Sequence, residues 1–152
     1  MTIYADTSFL VATRVPHDIF YLRAVSWYEA HQDEIWLWSP WHRVEVFNTI
    51  RQLTRNPDRR QRILPAQAKA MIHHLEADVR CAYFLHLEAD WRDVLRAASE
   101  ISLANAFERA CAATDLLHVA YAVELGSDLF VSFDDEQLEL AQGAGLAIAR
   151  PE

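Results

Sequence analysis

Five short apolar runs, at residues 2–5, 35–39, 81–86, 129–132 and 146–149, alternate with segments whose apolar residues recur at helical spacing, and no other feature narrows the fold so far. Strands joined through helices form a parallel sheet covered on both faces, so the sequence predicts an α/β fold of three layers, α/β/α. One helix begins near Ser8, with Thr7 and Ser8 as candidate N-caps, and ends before Pro16. A second spans about 19–31, where Leu22, Val25, Trp27 and Tyr28 are spaced for an apolar face. Ser39-Pro40 launches a third through about Thr54, and Pro65 opens a fourth to about Ala77. Further helices start near Trp91, run from about Asp115 to the C-cap residue Gly126, and cover about 136–142. In the run at 35–39, Ile35 and Leu37 face one layer and Trp36 and Trp38 the other, which favours core packing for the tryptophans Trp27, Trp36, Trp38 and Trp41 over base stacking.

Open parallel sheets build their sites beyond the carboxyl ends of their strands. Two of the runs lead straight into an aspartate there: Thr2-Ile3-Tyr4-Ala5-Asp6 and Leu129-Phe130-Val131-Ser132-Phe133-Asp134. If the two strands are neighbours, both carboxylates emerge at one edge, and acids side by side imply a cation. A third acid, Asp115, follows Thr114 and opens a helix that carries His118 one turn on. Singly, each of these aspartates reads as a helix cap or as an acid favoured by the helix dipole. Glu45 shares a helix stripe with Trp41, Asn48 and Gln52 and, on position alone, reads as solvent-facing. His118 reads as a packed helix histidine, and His42, His73 and His74 as surface residues.

Composition removes several alternatives. The chain has 152 residues, the length of one domain able to bury a core without disulfides, so residues 1–152 are expected to form a single domain. No apolar stretch approaches the roughly 20 residues of a membrane span, and no secretion signal opens the chain. Cys81 and Cys111 follow no metal or redox spacing and read as buried thiols in a reducing cytoplasm. A net charge of −8 argues against nucleic-acid binding by counterion release alone. Positive charge is nevertheless concentrated at Arg51, Arg55, Arg59, Arg60 and Arg62, around an Asn56-Pro57-Asp58 turn.

Missing motifs exclude more. The three glycines, Gly126, Gly143 and Gly145, lie late in the chain, so no phosphate-cradling loop follows the first strand. The only lysine, Lys69, falls inside a helix, where a phosphoacceptor receiver domain could not use it. No G-x-S-x-G elbow is present. Acid chemistry remains.

At Tyr4-Ala5-Asp6-Thr7-Ser8-Phe9-Leu10, Val44-Glu45-Val46-Phe47-Asn48, the Asp115 helix with His118 and Ala122, and Ser132-Phe133-Asp134 followed by Ala141 and Gly145-Leu146, the chain resembles PIN-domain ribonucleases, most closely VapC toxins of bacterial toxin–antitoxin pairs. The resemblance implies a central parallel sheet flanked by helices and four acids mapping onto Asp6, Glu45, Asp115 and Asp134, with Asp135 as the alternative fourth. It implies that Thr7 or Ser8 steadies the first aspartate and that Ser132 stands where the family more often has threonine. It further implies a cytoplasmic homodimer held inactive by a cognate antitoxin, with RNA as substrate.

Four converging carboxylates repel one another, and such hard oxygen ligands suit Mg²⁺ or Mn²⁺. A bound cation of that kind activates water for phosphodiester hydrolysis, leaving a 3′-hydroxyl and a 5′-phosphate. The expected function is therefore a Mg²⁺-dependent endoribonuclease. A catalytically silent PIN-fold module that binds RNA or protein, and a structure-specific DNA nuclease, are the alternatives.

Overall fold

A computed structural model of the chain describes residues 1–108 and 110–152. Its elements are β1 (Thr2–Ala5), α1 (Thr7–Ala12), α2 (Tyr21–Ala30), β2 (Ile35–Trp38), α3 (Pro40–Leu53), α4 (Pro65–Arg80), β3 (Phe84–His86), α5 (Trp91–Asn105), α6 (Ala113–Glu124), β4 (Leu129–Val131), α7 (Asp135–Gly143) and β5 (Ala147–Ala149). The five strands form one sheet in the order β3-β2-β1-β4-β5, every pair parallel, as the alternation of strands and helices requires. The chain winds outward from β1 to β3, then returns to lay β4 on the other side of β1. The strand order therefore reverses between β1 and β4, where crevices open in doubly wound sheets.

Strand periodicity sorts the core into two layers. Ile3, Ala5, Trp36, Trp38, Phe84 and Val131 pack on one face with Phe9, Leu10, Phe47, Ile50 and Leu75 from α1, α3 and α4. Tyr4, Leu37 and Phe130 pack on the other with Val94, Val119, Leu138 and Leu140 from α5, α6 and α7. Trp36 and Leu37 thus part company as their alternation predicts. Trp36 and Trp38 are core residues, with Trp27 packed against them.

The structure corrects several sequence expectations. Asp6, not Thr7 or Ser8, caps α1, so the helix starts as soon as the strand ends. Leu22 is 80% exposed, because α2 is short and Ala24 takes the buried position on its first turn. β3 is confined to Phe84–His86, since 81–83 complete the end of α4. His42 is fully buried, turned back under the start of α3, whereas His73 and His74 are exposed as expected. Cys81 is exposed and Cys111 only partly buried, and no disulfide joins them. All five arginines around the Asn56-Pro57-Asp58 turn are exposed. Among the described residues no helix is long and apolar enough to cross a membrane.

Three helices end in the same hydrogen-bonded motif before the next strand. At α6 the Gly126 and Ser127 amides donate to the Val123 and Ala122 carbonyls at 3.0 and 2.9 Å; at α7 the Gly145 and Leu146 amides repeat the pattern onto Gln142 and Ala141 at 3.0 and 3.1 Å. Each glycine sits at positive φ, +66° and +90°, as this cap favours. At α4 the amides of Ala82 and Tyr83 make the equivalent bonds to Val79 and Asp78, but the left-handed position, φ 60°, is occupied by alanine. A Cβ there costs about 1–2 kcal/mol, partly offset by alanine's lower unfolded-chain entropy. Ala82→Gly is accordingly expected to stabilise the protein by about 0.5–1 kcal/mol. Urea denaturation checks this, and a lowered midpoint would contradict the assignment.

Candidate functional site

Asp6 is fixed by the sheet and by the helix it caps. Its amide donates to the Val131 carbonyl at 3.0 Å, extending the β1–β4 ladder one residue and setting Asp6 beside Ser132. Its Oδ1 accepts from the Phe9 amide at 2.9 Å, and its Oδ2 accepts from the hydroxyls of Ser8 at 2.7 Å and Ser132 at 2.9 Å. Ser8, rather than Thr7, is therefore the nearby hydroxyl that steadies it. The carboxylate is only 4% exposed. Burial raises its pKa, and the donors from Ser8, Phe9 and Ser132 offset that rise only in part.

Ser132 also accepts the Asp134 amide at 2.9 Å, so one hydroxyl ties both strand-end acids together. Asp134 is the N-cap of α7, its Oδ1 accepting from the amides of Glu136 at 2.9 Å and Gln137 at 3.3 Å. Asp135 instead reaches the Arg150 guanidinium at 3.1 Å. The two adjacent acids are thus separated by their partners.

Asp115 sits in the first turn of α6, half-buried, and its Oδ1 accepts from Gln137 Nε2 at 3.2 Å. Burial first, and then the negative charges of Asp134, Glu45 and Asp6, raise its pKa against the opposing effect of His118. Asp134, Glu45 and Asp6 therefore all lie within electrostatic reach of Asp115. Gln137, 3% exposed, escaped the sequence reading; the available signal was a polar side chain on the buried face of α7, next to Leu138 and Ala141.

Glu45 does not face solvent as its helix stripe suggests. Its Oε2 accepts from the Thr7 hydroxyl at 2.5 Å and lies in close contact with His118 Nε2. Burial alone would raise the Glu45 carboxyl, but the hydrogen bonds from His118 and the Thr7 hydroxyl hold it below the usual value. Beneath this contact runs a buried polar chain. His118 Nδ1 meets the Tyr4 hydroxyl at 3.1 Å, which meets Ser39 Oγ at 3.1 Å. His42 accepts the Ser39 amide on Nδ1 at 2.9 Å and donates Nε2–H to the Ala5 carbonyl at 2.7 Å, closing a capping box on α3. Burial, with the nearby His118, keeps the His42 pKa well below its usual value, so the ring is neutral.

Carboxylate oxygens are hard donors of the kind that suit Mg²⁺ and Mn²⁺, and after burial the neighbouring acids add to the rise in the Asp115 pKa, a repulsion that a cation would relieve. Among the described residues the acids share one edge without closing into a preformed cage of three or more ligands.

A doubly wound parallel sheet with acids following its adjacent strands β1 and β4 defines an α/β protein whose acids gather at the topological switch point. The chain belongs to the PIN domain family, whose model matches residues 3–143. The fold is also that of FitAcB from Neisseria gonorrhoeae, at 18% identity and a TM-score of 0.67 over 97% of this chain and 96% of that one. FitAB bound to an IR36 DNA fragment is similar at 17% identity, with a TM-score of 0.66 over 99% and 95%. VapBC2 from Rickettsia felis, bound to a promoter DNA fragment, is similar at 10% identity, with a TM-score of 0.68 over 100% of both chains. No curated protein matches the sequence significantly.

Proposed function

We propose that the chain is a single-domain, divalent-cation-dependent endoribonuclease of the VapC toxin type, with Asp6, Glu45, Asp115 and Asp134 as ligands for Mg²⁺ or Mn²⁺. The observation that carries this reading is Asp6: a carboxylate buried at the switch point, held by three donors and electrostatically coupled to Asp115. A structural cap has no need of like charges gathered around it. Asp134 is preferred to Asp135 because it shares Ser132 with Asp6 while Asp135 pairs with Arg150.

When bound, the cation supplies a lowered water pKa and neutralises charge on the scissile phosphate. The protein's own part is positioning. Ser8, Phe9 and Ser132 orient Asp6, Gln137 orients Asp115, and the α7 amides orient Asp134. The exposed arginines between α3 and α4 supply phosphate contacts to a chain whose net charge is −8. A cytoplasmic homodimer controlled by a cognate antitoxin completes the proposal, on the strength of the family resemblance.

Calorimetric titration with Mn²⁺, followed by mapping of 5′ ends on RNA incubated with the protein, tests the reading. Metal-dependent cuts bearing 5′-phosphates are expected, and Asp115→Asn should suppress them by about 10²-fold or more. Failure to bind metal would favour the silent module, and cleavage of structured DNA alone would favour the DNA nuclease.

A further inference from the structure

Glu45 differs from the other three acids in how it is held. Asp6 and Asp134 cap helices and are gripped by backbone amides, and Asp115 stands in a first turn against the Gln137 amide. Glu45 lies in the second turn of α3, on a longer side chain, and its hydrogen bonds come from side chains alone. Those partners arrive from two other elements, Thr7 on α1 and His118 on α6.

For a neutral His118 ring, donor counting sets the direction of each bond. Burial keeps the Tyr4 hydroxyl protonated, and with Ser39 on its far side it donates to His118 Nδ1. Thr7 spends its single proton on Glu45 Oε2 and can only accept at His118 Nε2, 3.1 Å away. His118 Nε2 therefore carries the proton and donates it toward Glu45. At 1% exposure and with both ring nitrogens engaged, His118 can neither ligate a cation nor reach a substrate. Oε2 is saturated by two donors, whereas no described residue donates to Oε1.

We propose that His118 is a positioning residue which, with Thr7, pins Glu45 by Oε2 and so leaves Oε1 as the single oxygen that Glu45 offers to a divalent cation. The role rests on the cation site of the proposed function, though not on the identity of the nucleic acid cut. Ser39 and Tyr4 act behind it, selecting the ring tautomer that donates, as carbonyls and carboxylates do behind metal-ligating histidines.

The test compares wild type with His118→Leu, which keeps the bulk and loses the donor, and His118→Gln, which restores an N–H near the Nε2 position. Mn²⁺ calorimetry on each protein reads the site without turnover, and long-range ¹H–¹⁵N spectra of the metal-free wild type read the tautomer. Expected are an Nε2–H ring, a loss of about 10–100-fold in Mn²⁺ affinity for His118→Leu, and recovery of most of that loss in His118→Gln. Cleavage assays should then show kcat falling at saturating metal while KM for RNA holds.

Unchanged affinity in His118→Leu, equal weakening in both variants, or a proton on Nδ1 would overturn the role. So would a wild type that binds no Mn²⁺. A wild type that shows the expected Mn²⁺ pattern yet cuts no RNA would remove the ribonuclease reading and leave the positioning role standing. If His118→Leu fails to fold, Thr7→Val removes the other donor to Oε2, and Mn²⁺ affinity equal to wild type there would be equally fatal.

Discussion

Asp6→Asn is expected to lose metal-dependent RNA cleavage by about 10³-fold or more while melting at the same or a higher temperature in metal-free buffer. The first half follows from the several kcal/mol that cation-based charge stabilisation contributes, at about 1.4 kcal/mol per tenfold in rate. The second follows from linkage. Burial raises the folded-state pKa of Asp6 above its unfolded value of 3.8, so the native state binds that proton more readily than the unfolded chain. Asp6 alone therefore makes the fold less stable above the raised pKa, and that deficit is relieved as pH falls toward 3.8. Asparagine retains the cap onto the Phe9 amide, and the hydroxyls of Ser8 and Ser132 can turn to accept from its amide group. Parallel cleavage assays and thermal melts decide the matter: full activity in the variant removes Asp6 from the mechanism, and a large drop in melting temperature makes it chiefly structural.

Trp36→Ala is expected to have the largest effect on stability. Trp36 is almost fully buried in β2 and lies among Phe9 at 5.6 Å, Trp27 at 5.7 Å, Tyr28 at 4.8 Å and Phe84 at 6.3 Å between ring centroids. Its indole N–H also donates to the His31 carbonyl at 3.1 Å, which anchors the end of α2. Truncation removes rings from four aromatic contacts at once and leaves a cavity, a change costing about 3–5 kcal/mol. For a domain of this size the melting temperature should fall by roughly 6–20 °C. A calorimetric scan showing a shift of only a degree or two would mean that the layer collapses to refill the gap.

The fold was legible because its signals are local. Alternation in 35–38 sends Trp36 and Leu37 to opposite layers, and Gly126 marks the end of α6 wherever the rest of the chain goes. Asp6 and Asp134 were legible for the same reason, since each lies next to the strand that delivers it. Glu45 was not, because its burial depends on Thr7 and His118 arriving from elements 38 and 73 residues away. Its stripe on α3 shows nothing of α6; only the family resemblance singled it out. His42 misled for a related reason: three residues after a cap usually means an exposed first turn, but here the ring closes the capping box and reaches the Ala5 carbonyl under the sheet. Gln137 was hidden by its chemistry, since a lone amide on a helix carries no periodic signal until Asp115 is known to lie beside it.

The Ser132 hydroxyl closes a loop of 126 residues when it meets Asp6. Side chains alternate between the faces of a strand, so sliding β4 by one residue against β1 would turn that hydroxyl away from the acid. Sheet register is in this way read out at the cleft. A contact of such long range forms only after most of the chain exists, so a nascent or mispaired protein lacks the bond that steadies Asp6. For a chain proposed to cut RNA, this places the onset of activity after the final strand pairings, and gives a cell that makes it an interval between synthesis and damage.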